Sequence, residues 1–180
     1  TVVCGKGNNG GDGFVVAHLL HRKKAKVRVV ALAPMAELSR DAATMARRMT
    51  RAAGSSAIRA FASKANLHAQ LATSDLVIDA LLGTGLASAV TGRYGDAIDG
   101  LNESGRPVIA VDLPSGLHAD TGAVLGRAVR AELTVTFGLP KLGLYQQHGI
   151  DCAGQIEIVD IGIPPAYVEA LQCRTLLITP

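Results

Sequence analysis

The chain has 180 residues, of which 48% are apolar, 18% are charged and only 3% are aromatic. A core built from Ala, Val, Leu and Ile is typical of parallel α/β sheets rather than of aromatic-rich β-sandwiches. The net charge of +3 is too small and too scattered to indicate a nucleic-acid partner, and no apolar stretch is long enough to predict a membrane span.

The three cysteines are odd in number and far apart in the sequence, at Cys4, Cys152 and Cys173. They form neither a metal-binding spacing nor a plausible disulfide framework, which favours a reducing compartment. We therefore predict a cytoplasmic protein. Cys4 lies in an apolar run and is predicted to be a small core residue.

Apolar, β-branched runs alternate with helical segments along the chain. Strands are predicted at 1–5, 26–32, 57–61, 75–83, 107–116, 131–138 and 154–162. Helices are predicted at 14–23, 37–54, 65–73, 94–105 and 165–172. This alternation predicts an α/β fold, a three-layer α/β/α, Rossmann-like, doubly wound and mostly parallel sheet. Residues 1–172 are expected to form one domain, and 173–180 a closing segment or the start of a linker or second domain.

A segment rich in glycine and asparagine, GKGNNGGDG, follows the first predicted strand. We expect it to be a loop, with a helix beginning near Gly13 and Asp12 capping that helix. Backbone N–H groups in such a loop suit an anion such as phosphate. The sequence lacks both a Walker motif and the acidic residue that grips a ribose after the second strand, so a conventional nicotinamide dehydrogenase is disfavoured.

Two aspartates, Asp79 and Asp112, interrupt apolar runs at the ends of predicted neighbouring strands. Each could simply cap the loop at its strand end. A buried carboxylate is costly unless it is paired, hydrogen-bonded or bound to a cation, and only Lys6 and Lys141 lie near these strand ends.

Oxygen donors beside these aspartates suggest a hard cation. The donors best placed to bind it are Asn9, Asp79 and Ser115. Asp112 would then be free for proton transfer. The small-residue loop at 83–92 could be a plain connection, or it could bring backbone close to a bulky ligand.

Four segments together resemble the YjeF N-terminal domain family, the NAD(P)H-hydrate epimerases. They are GKGNNGGDGFVVA, VIDALLGTGL, VDLPSGLHADTG and TFGLPKLGL, and the resemblance spans nearly the whole chain. It implies a Rossmann-like domain that interconverts the R and S forms of hydrated NADH and NADPH as a repair step. The implied partner is an ADP- or ATP-dependent dehydratase, which some family members carry as a fused domain.

The resemblance also implies roles for individual residues. Asp112 would contact the substrate and act as the acid/base at the C6 carbinol, and a potassium ion would be bound by Asn9, Asp79 and Ser115. The other substrate contacts would be Asn8, Asn9, Gly10, Gly11, Asp12, Gly83, Thr84, Gly85, Leu86, Ala87, Ser88 and Ala89.

Two further expectations follow from the family. Family members carry helical segments before the first strand that the given sequence lacks, and epimerases of this type are often homodimers. The alternative function is a non-catalytic nucleotide- or protein-binding scaffold of the same fold, which the intact Asn-Gly segment and both aspartates disfavour. A sugar- or nucleotide-phosphate isomerase rests on fold analogy alone.

Overall fold

A computed structural model of the chain describes residues 1–171 and Thr175. Its strands are β1 (Val2–Cys4), β2 (Val29–Ala31), β3 (Ile58–Ala60), β4 (Val77–Ala80), β5 (Val108–Val111), β6 (Leu133–Phe137) and β7 (Gln155–Val159). Its helices are α1 (Asn8–Arg22), α2 (Arg40–Ala53), α3 (Lys64–Leu71), α4 (Gly92–Asn102), α5 (Gly149–Cys152) and α6 (Pro165–Ala170). The predicted closing segment at 173–180 lies outside the described residues, apart from Thr175.

The seven strands form one sheet in the order β3-β2-β1-β4-β5-β6-β7, and every pair of neighbours is parallel. The chain runs outward from β1 to β3 and then crosses back, so that β4 lies on the other side of β1. The prediction of a doubly wound, Rossmann-like sheet is confirmed. In such sheets the crevice where the strand order reverses, here between β1 and β4, is the usual ligand site.

Alternation of side chains along β1 builds a core on each face of the sheet. Val2 and Cys4 pack with α1 and α2, in a cluster that includes Phe14 and Met49. Val3 faces the opposite way and packs with α3 and α4, in a cluster that includes Leu67, Leu71, Ile98 and Leu101. Cys4 is fully buried, so its predicted role as a core residue is confirmed.

The first helix begins earlier than the sequence predicts. Helix α1 starts at Asn8, with Gly7 as its N-cap, so the Asn-Gly segment is its first turns rather than a loop. Asp12 lies inside the helix and is not its cap. A side chain at Gly10 would collide with the carbonyl oxygen of Gly5, and a Cβ at Gly13 would lie 2.5 Å from that of Ala80. Glycine is therefore needed here because the helix packs directly against the strand ends.

Apart from α1, and from α5, for which no helix was predicted, the observed elements are shorter than their predicted ranges. Helix α2 begins at Arg40 instead of residue 37, because the Ser39 hydroxyl caps it by accepting a hydrogen bond from Ala42 N at 3.3 Å. The strands lose their outer residues to the connections on each side. Within the described part of the chain, no helix combines the length and apolar character that crossing a membrane requires.

Candidate functional site

A cavity of about 780 Å³ lies at the carboxyl ends of β1, β4 and β5, where the strand order reverses. Its lining includes most of the predicted substrate contacts, namely Asn8, Asn9, Asp12, Asp112 and residues 83–88. Residues that are 70 positions apart in the sequence meet here because parallel strands end at the same edge of the sheet.

Three predicted substrate contacts lie outside the cavity lining. Gly10 and Gly11 are buried where α1 packs closely against Gly5 and Ala42, and Ala89 is exposed beyond the end of the lining loop. The two glycines therefore allow α1 to pack closely, and they do not line the cavity.

The cavity also has walls that the sequence analysis missed. Lys6, Gly7, Leu81, Leu82 and Tyr94 contribute to its lining. Lys6 lies two residues after the end of β1, and this strand-end position, already noted in the sequence, was the signal that could have identified it as a lining residue. Tyr94 lies on α4, and its hydroxyl accepts a hydrogen bond from Lys6 N at 3.1 Å. That contact links residues 88 positions apart, and no local sequence pattern indicates it.

The N-terminus of α1 opens into the cavity. Gly7, Asn8 and Asn9, which form the N-cap and first turn, are all lining residues. The N–H groups of a first helical turn have no partners within the helix, and the helix dipole is positive at this end. The backbone N–H groups that suit an anion therefore belong to the start of a helix and not to the loop that the sequence predicts.

Asp79 is fully buried beneath the cavity and is held by the segment that follows β5. Its Oδ1 accepts a hydrogen bond from Ser115 Oγ at 2.6 Å and from Leu81 N at 3.2 Å, and its Oδ2 accepts one from Ser115 N at 2.8 Å. Burial raises the pKa of Asp79 to about 6, and these hydrogen bonds oppose the rise. Asp79 therefore ties the end of β4 to the end of β5 and is a strand-end cap as well as a candidate ligand.

The side-chain amide of Asn9 completes this cluster. Its Nδ2 donates to Leu82 O at 2.9 Å, and Ser115 Oγ accepts a hydrogen bond from Leu82 N at 2.8 Å. Asn9, Asp79 and Ser115 are thus brought together around Leu82, as predicted. Asn9 is only 9% exposed, yet its Oδ1 is buried without a hydrogen-bond partner among the described residues. An orphaned acceptor beside a buried carboxylate is a setting that suits a cation.

The chemistry of these donors limits which cation would fit. They are one carboxylate, one amide oxygen and one hydroxyl, so the cluster carries a single negative charge. Within the described ranges there is no group of three or more His, Cys, Asp or Glu side chains that could hold a metal ion. Oxygen donors with a single charge fit a hard, monovalent cation better than a divalent or transition metal.

Asp112 differs from its prediction in one respect, because it is not a free carboxylate. Its Oδ1 forms an ion pair with Lys141 Nζ at 2.5 Å, and these side chains are 16% and 18% exposed. The same oxygen accepts hydrogen bonds from Phe137 N at 3.1 Å and Thr136 Oγ1 at 3.2 Å. The pairing arises because the segment after β6 returns Lys141 to the end of β5. Asp112 nevertheless lines the cavity.

The backbone at Asp112 is also unusual. Its φ of 66° lies in the left-handed region that residues other than glycine rarely adopt. Such strain persists only where surrounding contacts enforce it, and it is concentrated at functional sites. Here the constraint comes from Asp112 N, which donates to Val135 O at 2.8 Å, and from Thr136, Phe137 and Lys141 around the carboxylate.

Comparison with known proteins places this arrangement in a family context. Residues 1–143 match the family model described as YjeF-related protein N-terminus. A bifunctional NAD(P)H-hydrate repair enzyme Nnr from Salinibacter ruber is 45% identical over 93% of this chain, and the match covers 32% of that relative. An NAD(P)H-hydrate epimerase from Rhodopirellula baltica is 37% identical over 91% of this chain and 66% of its own length.

Among solved structures, the crystal structure of yeast ynu0, YNL200c, matches with a TM-score of 0.73 and 19% identity. The match covers 91% of this chain and 66% of the yeast chain, and it supports the fold. The chain spans about a third of the length of the bifunctional relatives it matches.

Proposed function

The chain belongs to the family of YjeF-related protein N-terminal domains, and on that premise we propose that it epimerises the R and S forms of hydrated NADH and NADPH. The observation that carries the proposal is the position of Asp112. This carboxylate lines the same cavity as the start of α1 and the loop at 83–88. A carboxylate able to transfer a proton, a helix start that suits an anion and a loop of small residues therefore share one crevice.

The cavity suits a phosphorylated ligand of dinucleotide type. Its volume of about 780 Å³ lies within the range of small-molecule sites. The positive end of the α1 dipole and the exposed Lys6 side chain favour the diphosphate, because both offer positive potential at the cavity. Residues 83–88 are rich in small side chains, so that backbone can approach the ligand closely.

We assign the acid/base role to Asp112. It would exchange a proton with the hydroxyl group at C6 of the hydrated nicotinamide ring, where the R and S forms differ. Its position at a strand end, held by three hydrogen-bond donors, supplies the fixed geometry that proton transfer requires.

We further propose that Asn9, Asp79 and Ser115 bind potassium. The proposal is supported by the buried, unpartnered Asn9 Oδ1 and by the single negative charge of the donor set. A bound potassium ion would supply a fixed positive charge beneath the cavity. The carboxylate of Asp112, and not the ion, would carry out the proton transfer.

The wider context of the reaction is also a proposal. The names of the bifunctional relatives fit a fused or separate partner, an ADP- or ATP-dependent dehydratase that would consume the S form. A cytoplasmic location is supported by the buried, unpaired thiols of Cys4 and Cys152, and a homodimer is the family-based expectation for its assembly.

The test is to incubate the purified protein with R-hydrated NADPH in potassium buffer and to follow formation of the S form by chromatography. Because the two forms also interconvert spontaneously, a sample without protein sets the background rate. We expect conversion well above that background, approaching equilibrium from either form. A rate equal to the background with a folded protein would contradict the proposed function.

A further inference from the structure

A lysine outside the cavity lining contacts the carboxylate of Asp112 inside it. Lys141 Nζ contacts Asp112 Oδ1 at 2.5 Å and also donates to Phe137 O at 2.9 Å, so its position is fixed at two points. With Phe137 N and Thr136 Oγ1 on the same oxygen, all the hydrogen bonds that the described residues give to Asp112 fall on Oδ1. Oδ2 is therefore the oxygen left for a ligand.

A second carboxylate faces this one. Asp12, in the second turn of α1, lines the same cavity. Partial burial raises the pKa of Asp12, and the negative charge of Asp112 raises it further. The charged side chains that line the cavity are Lys6, Asp12 and Asp112, and within the described part of the chain only Asp112 is ion-paired with a lysine.

The two carboxylates are thus placed in different electrostatic environments. Lys141 Nζ contacts Asp112 Oδ1 at 2.5 Å, whereas Asp12 forms no ion pair with the described residues, and the negative charge of Asp112 raises the pKa of Asp12. Paired groups whose environments separate their protonation states are the usual arrangement for a base and an acid in one site.

We propose that Lys141 is a positioning residue that commits Asp112 to the role of base, and that Asp12 is a second catalytic residue that serves as the acid. This inference rests on the proposed epimerase function. It adds two residues to the reaction, one of which acts only through Asp112.

The assignment gives a balanced reaction at the C6 carbinol. Asp112 takes the hydroxyl proton, the oxygen electrons form a carbonyl, and the bond between C6 and the ring nitrogen breaks. The nitrogen keeps that electron pair and takes a proton from Asp12. After rotation about the C5–C6 bond, the nitrogen attacks the other face of the aldehyde carbon. Asp12 then recovers its proton from nitrogen, and Asp112 returns its proton to the new hydroxyl group, so that no other reactant is consumed.

The experiment compares pH profiles of kcat and kcat/KM for wild type, Lys141→Met, Lys141→Arg and Asp12→Asn, with the spontaneous rate subtracted at each pH. We expect Lys141→Met to lower kcat by about 10- to 100-fold and to change the limbs of the pH profile, because Asp112 loses the ammonium group that contacts its Oδ1. Lys141→Arg retains the charge and should restore most of the rate and the wild-type limb.

Asp12→Asn should lower kcat by about 100-fold and remove the loss of activity that wild type shows as the pH rises through the Asp12 titration. The matched control is Lys64→Met, which removes a lysine that is paired with Glu103 at 2.6 Å and lies outside the cavity lining, and it should keep wild-type kinetics. A Lys141→Met profile that keeps its wild-type limbs would show a structural role and overturn the first part. Unchanged kcat in Asp12→Asn would overturn the second.

A measurement without turnover separates this inference from the proposed function. The side-chain carboxyl of Asp12 can be titrated by nuclear magnetic resonance in wild type and in Asp112→Asn. We expect the pKa of Asp12 to fall in the variant, because the opposing negative charge is gone. An unmoved titration would overturn the coupling of the two carboxylates, whatever the activity of the protein. Absence of turnover with a normal Asp12 shift would count against the proposed function instead.

Discussion

The ends of β4 and β5 place the same side chain in two different surroundings. Asp79, at the end of β4, is fully buried, and its hydrogen bonds come from neutral donors of Ser115 and Leu81. Asp112, after β5, lies at the cavity surface and is paired with Lys141. One carboxylate thus has no cationic side chain among its hydrogen-bond donors, and the other has its charge neutralised within the chain.

This difference indicates which aspartate suits cation binding and which suits proton transfer, and the sequence alone does not distinguish them by their surroundings. A buried carboxylate without a positive partner favours a cation, and beside Asp79 the orphaned Oδ1 of Asn9 offers a further oxygen ligand. A carboxylate held on one oxygen by a lysine and open on the other can exchange a proton with a ligand. We therefore interpret the β4 end as the ion-binding end and the β5 end as the chemical end of one site.

The largest effect should come from removing the chemical end. Asp112→Asn is expected to lower the enzyme-dependent epimerisation rate by about 10²- to 10⁴-fold, because the amide cannot take up the proton. The measurement is the chromatographic assay with the spontaneous rate subtracted. Asp96→Asn on α4, an exposed aspartate outside the cavity lining, is the control and should keep full activity. Retained activity in Asp112→Asn would remove this carboxylate from the mechanism.

The next prediction concerns helix α1, whose first turn lines the cavity. Gly10→Ala would drive a methyl group into the backbone of Gly5, so we expect a loss of about 3 kcal/mol in the free energy of unfolding, measured by chemical denaturation. Gly7→Ala is the matched control, because a Cβ there meets no atom within 4 Å. It should cost well under about 1 kcal/mol. Equal losses in the two variants would refute the close packing of α1 on β1.

The ion-binding end can be tested by thermal unfolding in potassium and in a buffer without it. If potassium binds, a concentration 100 times Kd adds about 2.7 kcal/mol of stability. For a chain of this size that raises Tm by roughly 5–10 °C. Asp79→Asn should abolish the rise, and Asp112→Asn should retain it. A rise that survives Asp79→Asn, or one that Asp112→Asn removes, would break the distinction between the two ends.

The smallest effect should come from one donor to Asp112. Thr136→Val removes the hydrogen bond from Thr136 Oγ1 at 3.2 Å and should lower kcat roughly two- to tenfold, as expected for one neutral hydrogen bond. Thr134→Val is the control on the same strand, because its hydroxyl donates to Ala153 O at 2.7 Å instead. It should reduce stability and leave kcat unchanged. Identical kcat values in both variants would show that Thr136 does not help to position the carboxylate.

Sequence reasoning succeeded where local pattern determines the outcome. The parallel sheet follows from the alternation of apolar strands and helices, and the meeting of Asp79 and Ser115 follows from their positions at the ends of neighbouring strands. Asn9 joins them from the first turn of α1. Sequence reasoning failed where packing between distant segments determines the bounds of an element. Helix α1 extends back to Asn8 because glycines let it pack against β1, although Asn and Gly have low helix propensity.

The pairing of Asp112 with Lys141 was also missed. The sequence identifies both residues as charged groups near strand ends, but only the path of the chain after β6 brings them to 2.5 Å. The interaction of Tyr94 with Lys6 across 88 residues has the same cause. Side-chain pairing over such distances depends on tertiary structure, and no local periodicity or motif encodes it.

A crystal structure of the protein with NADP and potassium bound would test the central claim most directly, namely that one site at the carboxyl ends of β1, β4 and β5 serves ion and dinucleotide together. We predict diphosphate density at the start of α1, the nicotinamide ring beside Asp112 Oδ2, and a spherical peak among Asn9, Asp79 and Ser115. A dinucleotide bound elsewhere, with no peak at those three side chains, would contradict the account.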